Sequence, residues 1–257
     1  MQLALSGTLV LLLFSSLVMG ADNKALRIGI EAAYPPFAYK TPEGDITGFD
    51  HDIGMALCAH MQVECKWIEQ EFDGLIPALN SRKFDVVLSS MTITDERRQL
   101  VDFTDKYYAT PARLVMREGI ALNTLAGVKG LRIGVQRSSI FDLYASDVLA
   151  PAGAEIVRYD SQNDVFIALS AGLLDGTFAD AVNIESAFLK TEAGVGFAFA
   201  GPPVTDDRYF GEGQGIAVRK GERELAQRLS AAIAAIRTDG TYQWIQDRYF
   251  GFDVYGR

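Results

Sequence analysis

The chain has 257 residues, 49% of them hydrophobic and 22% charged, and 24 Lys and Arg stand against 33 Asp and Glu for a net charge of -9. That acidic balance leaves no basic stripe to track a phosphate backbone, so no nucleic-acid partner is expected. The 8 prolines are scattered and no low-complexity run appears, which excludes a disordered or fibrous chain.

From Leu9 to Val18 the chain reads LVLLLFSSLV, followed by the small residues Gly20 and Ala21 and the charged Asp22 and Lys24. An apolar core of about ten residues is too short to cross ~30 Å of hydrocarbon, and it fits a secretory signal. Residues 1–21 are therefore expected to be a signal peptide cleaved near Gly20–Ala21, although MQLALSG supplies no Lys or Arg to its n-region. The competing reading is a buried or interfacial N-terminal helix. No Cys stands near the cleavage point to carry a lipid, and no later apolar run is long enough to span a bilayer. A soluble, exported protein is expected. Its two cysteines, Cys58 and Cys65, then read as a disulfide tying a helix end to the next strand. No metal site is expected: the nearest further ligand is His60, and Cys58 and His60 stand too close in sequence to build most of a tetrahedral site.

Strand-like and helical runs alternate along the rest of the chain. A strand at Leu26–Ile30 is followed by a loop with Pro35 and Pro36, then a helix from Gly48–Asp50 to near Met61. Next come a strand at Val63–Glu69, a helix at Phe72–Arg82 with Leu75, Ile76 and Leu79 on one face, a buried strand at Phe84–Ser89, and a helix from Thr94. After Tyr107–Pro111 the pattern restarts with strands at Leu131–Val135, Glu155–Tyr159 and Thr177–Ala179. These alternate with helices at Ile140–Leu149, Asp164–Ala171 and Ile184–Lys190. A strand at Gly215–Val218 precedes helices at Glu222–Thr238 and Gly240–Tyr249.

Such alternation predicts βαβ units and parallel sheets. LRIGI at Leu26 and LRIGV at Leu131 are near-copies, each opening a series, so two similar α/β lobes are expected. One doubly wound domain is the alternative. In either case ligands bind beyond the carboxyl ends of the strands. There the sequence places Glu31 and Tyr34, then Ser89, Ser90, Met91, Thr92 and Arg97, then Gln136, Arg137, Ser138 and Ser139, and finally Asp180.

A guanidinium grips a carboxylate through two parallel hydrogen bonds, and carboxylate and hydroxyl oxygens receive an ammonium. The set therefore suits an amino acid. Each residue also has a plainer reading. Arg97 lies in the charged stretch TDERRQ, Ser139 with Asp142 fits a capping box, and Asp180 fits an N-cap. Glu31 is harder to explain without a partner, because a carboxylate directly after an apolar strand costs free energy unless paired or wet. No nucleophile elbow or P-loop occurs, and GVQRSS lacks the glycines of a dinucleotide loop, so no cofactor is expected.

Across the expected mature chain the sequence resembles the periplasmic solute-binding proteins of ABC amino-acid importers, above all the lysine/arginine/ornithine- and histidine-binding group. The resemblance rests on EAAYPPFAY, GFDHDIGMALC, FDGLIPAL, DVVLSSMTITDERRQ, DFTDKYY, FAFAGP, YFGEGQGIAVRK and DGTYQWIQDRYF, in that order. It implies a two-lobed periplasmic-binding-protein fold, each lobe a mainly parallel sheet flanked by helices. Residues 22–109 and 204–257 are expected in the first lobe and 110–203 in the second, with hinge crossings near Ala109–Pro111 and Gly201–Thr205. It implies that Cys58 and Cys65 form the family's disulfide.

The resemblance also implies roles. Arg97, the Thr92 N–H and the helix start at Ser139–Ile140 hold the ligand's α-carboxylate. Asp180, the Ser90 carbonyl and the Thr92 hydroxyl take the α-ammonium. Tyr34 and Phe72 sandwich the aliphatic stem, and Glu31, with Ser89 nearby, faces a distal cation. Some members carry Thr-Gln at Ile140–Phe141 and Leu at Gln136, which puts the distal pocket in doubt. Gln136 suits a guanidinium, so the expected ligand order is arginine, then ornithine and lysine, then histidine. A monomer delivering its ligand to a membrane permease is expected, not an enzyme. The alternative is a same-fold enzyme such as a cyclohexadienyl dehydratase, with a pocket carboxylate as general acid.

Overall fold

The computed structural model describes residues 25–120, 122 and 125–256. The expected signal peptide lies outside them. Two five-stranded sheets organise the chain. The first has the order Cys65–Glu69, Leu26–Ile30, Val86–Val87, Gln214–Arg219, Val101–Tyr108. The second has Glu155–Tyr159, Arg132–Gln136, Gly176–Asp180, Ala112–Arg117, Phe197–Val204. The two restarted series thus become two sheets of matching order.

Each sheet is mixed in a limited sense: four of its five strands run one way and one runs against them. In the first, Leu26–Ile30 pairs parallel with both neighbours, while Gln214–Arg219 runs antiparallel to Val86–Val87 and to Val101–Tyr108. In the second, Ala112–Arg117 is antiparallel to Gly176–Asp180 and to Phe197–Val204. The cause lies in the connections. Parallel neighbours need a crossover helix, whereas strands entering from the other sheet arrive without one and are free to run the opposite way. The sequence reading did not place the long strands Val101–Tyr108, Ala112–Arg117 and Phe197–Val204.

The chain passes to the second sheet between Tyr108 and Ala112 and returns between Val204 and Gln214. The short helix Asp207–Phe210 packs Tyr209 and Phe210 on Tyr144 of the second lobe, ring centroids 5.2 and 5.8 Å away.

Helix Phe49–Met61 starts after Gly48, whose φ of 121° and close approach to the Phe37 carbonyl leave no room for a Cβ. It buries Ile53 and Leu57 against Leu229, Ile233 and Ile236 of helix Arg223–Thr238 and Ile245 of helix Thr241–Tyr249, so both ends of the described chain share one core. Tyr249 donates to Asp52 at 2.6 Å and reinforces that junction. Cys58 and Cys65 are bonded, joining this helix to the edge strand. Among the described residues no helix is long and apolar enough to cross a membrane, and no cluster could hold a metal ion.

Candidate functional site

The carboxyl ends of both sheets' parallel strands meet at one small cavity. It is lined by Glu31, Tyr34, Phe72, Ser89, Ser90, Thr92 and Arg97 from the first lobe and by Gln136, Ser139, Ile140 and Phe141 from the second. Of the residues that the resemblance implied for the site, Asp180 alone is missing from this lining, and Met91, Arg137 and Ser138 of the strand ends are not in it either.

Arg97 sits on the short helix Asp95–Leu100, whose start is capped by Thr94 Oγ1 accepting from the Arg97 N–H at 3.1 Å. Its guanidinium donates to the Thr92 carbonyl at 2.9 Å and across the cleft to the Ser138 carbonyl at 3.1 Å, and it lies 5.5 Å from the centroid of Phe72. Among the described residues no carboxylate pairs with it. Burial brings its pKa down to about 10, and only the adjacent Glu96 opposes that.

Glu31, the carboxyl in the same cavity, likewise has no ionic partner among the described residues. Its side chain accepts one hydrogen bond, from Gln136 Nε2 of the other lobe at 2.7 Å, and its backbone N–H donates to Ser89 Oγ at 3.0 Å. Burial pushes its pKa up to about 8 against the relief from Gln136, and the acids Asp73, Glu71 and Asp164 push the same way. Glu31 and Arg97 are not paired with each other.

Asp180 does not reach the cavity wall. Its Oδ1 accepts from the Val182 and Asn183 N–H groups at 2.8 and 2.9 Å, and its Oδ2 takes the Thr110 hydroxyl. The plain N-cap reading is therefore realised. Burial pushes its pKa up to about 6. It stands beside Tyr34, whose own ionisation its charge opposes.

Ser139 also caps its helix, accepting from the Asp142 N–H at 3.1 Å while donating to the Gln136 carbonyl at 2.7 Å. Asp142 bonds the Ser138 N–H at 3.2 Å, one residue away from the regular box. Phe141 faces the cavity from a cluster with Phe178 and Phe210. His51, on the same helix as Asp50, packs on Trp67 with ring centroids 4.9 Å apart and does not line the cavity.

Sequence reasoning missed two groups that surround the site. Asp50, fully buried, accepts from Ser90 Oγ and from the Tyr107 hydroxyl, both at 2.9 Å. In the sequence it reads as an ordinary acid of a helix's first turn. Asn183, also fully buried, donates across the cleft to the Pro35 carbonyl at 2.6 Å. Nothing in its spacing marks it.

With a cavity between two lobes, the chain's relatives become informative. Residues 26–252 match the model of bacterial extracellular solute-binding proteins, family 3. The chain belongs to that family. The L-arginine-binding protein of Pseudomonas aeruginosa is 61% identical over 256 residues, covering 99% of this chain and 98% of its own. The lysine/arginine/ornithine-binding periplasmic protein of Escherichia coli is 42% identical over 234 residues, 91% of this chain and 90% of the other. Among solved structures, an ancestral arginine-binding protein bound to arginine superposes with a TM-score of 0.82 at 35% identity, over 88% of this chain and 98% of that one. These family-3 relatives are named for binding, and none of the three for turnover.

Proposed function

We propose that this family-3 protein is a soluble, monomeric periplasmic receptor for a basic L-amino acid. It closes on its ligand and hands it to the membrane permease of an ABC importer. The observation that carries the reading is a pair of complementary groups: a half-buried guanidinium and a buried carboxyl share one small cavity, and neither has an ionic partner among the described residues. Unpaired buried charge is costly, and a ligand with an anionic head and a cationic tail relieves both ends at once.

In this reading Arg97 clamps the α-carboxylate, helped by the Thr92 N–H and the capped helix start at Ser139–Ile140. Tyr34 and Phe72 enclose the stem, and Glu31, with Ser89 behind it, receives the distal cation. Gln136, already hydrogen-bonded to Glu31, joins it there and favours the planar, multiply donating guanidinium, which puts arginine ahead of ornithine and lysine, and histidine last. The names of the family-3 relatives support the same ligand class. The α-ammonium meets the Ser90 carbonyl and the Thr92 hydroxyl, with Asp180 in a layer behind Tyr34.

Mass spectrometry of the small molecule released from the denatured protein, followed by calorimetric titration with the four ligands, tests this. Arginine binding weakest of the four overturns the order. A raised Glu31 pKa also suits a general acid, which favours a second reading as a cyclohexadienyl dehydratase. Turnover of such an acid by the purified protein supports that reading; recovery of the bound molecule unchanged supports the receptor.

A further inference from the structure

Ser90 is one of four non-glycine residues in the described chain with a positive φ, here 50°. That region is costly for a serine unless its surroundings enforce it. What enforces it lies behind the cavity. The Ser90 hydroxyl donates to Asp50 Oδ2 at 2.9 Å, and its N–H donates to the Tyr107 hydroxyl at 3.0 Å, which in turn donates to Asp50 Oδ1 at 2.9 Å. Both donors of Ser90 are thus tied to one buried carboxylate, directly or through one tyrosine. The polar atom left to the cavity is the carbonyl oxygen, which accepts no hydrogen bond from the described residues.

Asp50 is itself fully buried, pairs with no Lys or Arg among the described residues, and is held in place by the start of helix Phe49–Met61, where its N–H donates to the Phe37 carbonyl at 2.8 Å. A carboxylate in that position costs free energy that two hydroxyl donors only partly offset. Asp180, the acid expected to meet the ammonium, spends its oxygens on a helix cap and Thr110.

We propose that Asp50 is the positioning residue of the ammonium subsite: through Ser90 and Tyr107 it locks the left-handed Ser90 peptide so that the carbonyl faces the ligand's α-ammonium, and its charge backs that carbonyl. The proposal rests on the amino-acid reading above and specifies which buried acid serves the ammonium. The Asp50–Tyr107–Ser90 linkage makes the carbonyl a fixed acceptor, whose orientation is set before the ligand arrives.

The test compares L-arginine with 5-guanidinopentanoate, which lacks only the α-amino group, on the wild type and on Asp50→Asn. Asn keeps an acceptor for one hydroxyl and removes the charge. Affinities come from calorimetry for arginine and from ligand-observed NMR up to millimolar concentration for the analogue. Asp50→Asn is expected to weaken arginine by about tenfold or more and the analogue by no more than about twofold, because a charge-assisted contact is lost only where an ammonium is present. Equal losses for both ligands reduce Asp50 to a structural residue and overturn the proposal, as does no loss for either. Should Asp50→Asn fail to fold, Tyr107→Phe, which removes the clamp on the Ser90 N–H, is held to the same comparison. A wild type that binds no arginine sinks the ligand assignment instead, and lysine with 6-aminohexanoate then carries the comparison.

Discussion

In the proposed function, Arg97 and Glu31 divide the work of recognition between a permanent charge and a titrating one. Arg97 stays cationic even with its pKa down at about 10. Arg97→Ala therefore removes a ready anion clamp from a dry site, at a cost of about 3 kcal/mol or on the order of a hundredfold in arginine affinity. Near-normal affinity by calorimetry is incompatible with its role. Glu31 behaves differently, because burial raises its pKa to about 8 from an ordinary 4.5. The folded protein then holds a proton that the unfolded chain has released, so this group's contribution to stability is greatest below the ordinary value and declines as pH rises towards about 8. A cationic ligand needs the ionised form and expels that proton. Arginine affinity should rise with pH from 5.5 to 8, by up to about tenfold per unit, with proton release visible as a buffer-dependent heat. A flat profile rejects Glu31 as the cation's partner. Glu31→Gln should flatten it and weaken cationic ligands selectively; equal weakening of a neutral amino acid points to a packing role instead.

At the scale of elements, the disulfide and the unforeseen strands show what local pattern does and does not specify. Cys58 and Cys65 close a short loop between the end of helix Phe49–Met61 and the edge strand Cys65–Glu69. By chain entropy such a loop contributes about 2 kcal/mol. Cys58→Ser with Cys65→Ser should lower the melting temperature while leaving arginine affinity within about twofold, since both residues lie outside the cavity. A large affinity loss in the folded double variant contradicts that separation. Leu26–Ile30 and Arg132–Gln136 were legible because both faces of a central strand are covered, giving a continuous apolar run. Val101–Tyr108 was not, because in VDFTDKYY the charged Asp102, Asp105 and Lys106 take the three positions that are not buried and break up the apolar run. The cavity wall was legible for the same reason as the central strands, whose ends must point into the cleft. Asp50 and Asn183 were not, because their importance comes from partners 40 and 148 residues away.

At the scale of the whole molecule, the lobes touch through polar bonds that exist only when they are close together. Gln136 reaches Glu31, Arg97 reaches the Ser138 carbonyl, and Asn183 reaches the Pro35 carbonyl. The first two involve residues that line the cavity, so a ligand rearranges them as it binds. The third does not line the cavity, and in the proposed hinge cycle it is the candidate latch of the closed form. In the proposed hinge cycle, a ligand shifts the equilibrium by touching both lobes, and a latch adds to the closed state without touching the ligand. Asn183→Asp tests this at nearly constant volume. It sets a carboxylate against the Pro35 carbonyl oxygen, which penalises closure, whereas in the open form the same side chain faces water. The backbone N–H of residue 183, which caps to Asp180, is unaffected by the change. Because the open form still meets the ligand unhindered, the association rate should hold within about twofold while dissociation accelerates by about tenfold. Stopped-flow kinetics with arginine separates the two, and small-angle scattering of the saturated variant should show a larger share of open molecules than the wild type. A variant that loses affinity through slower association alone places Asn183 on the path of entry and removes the latch from the cycle.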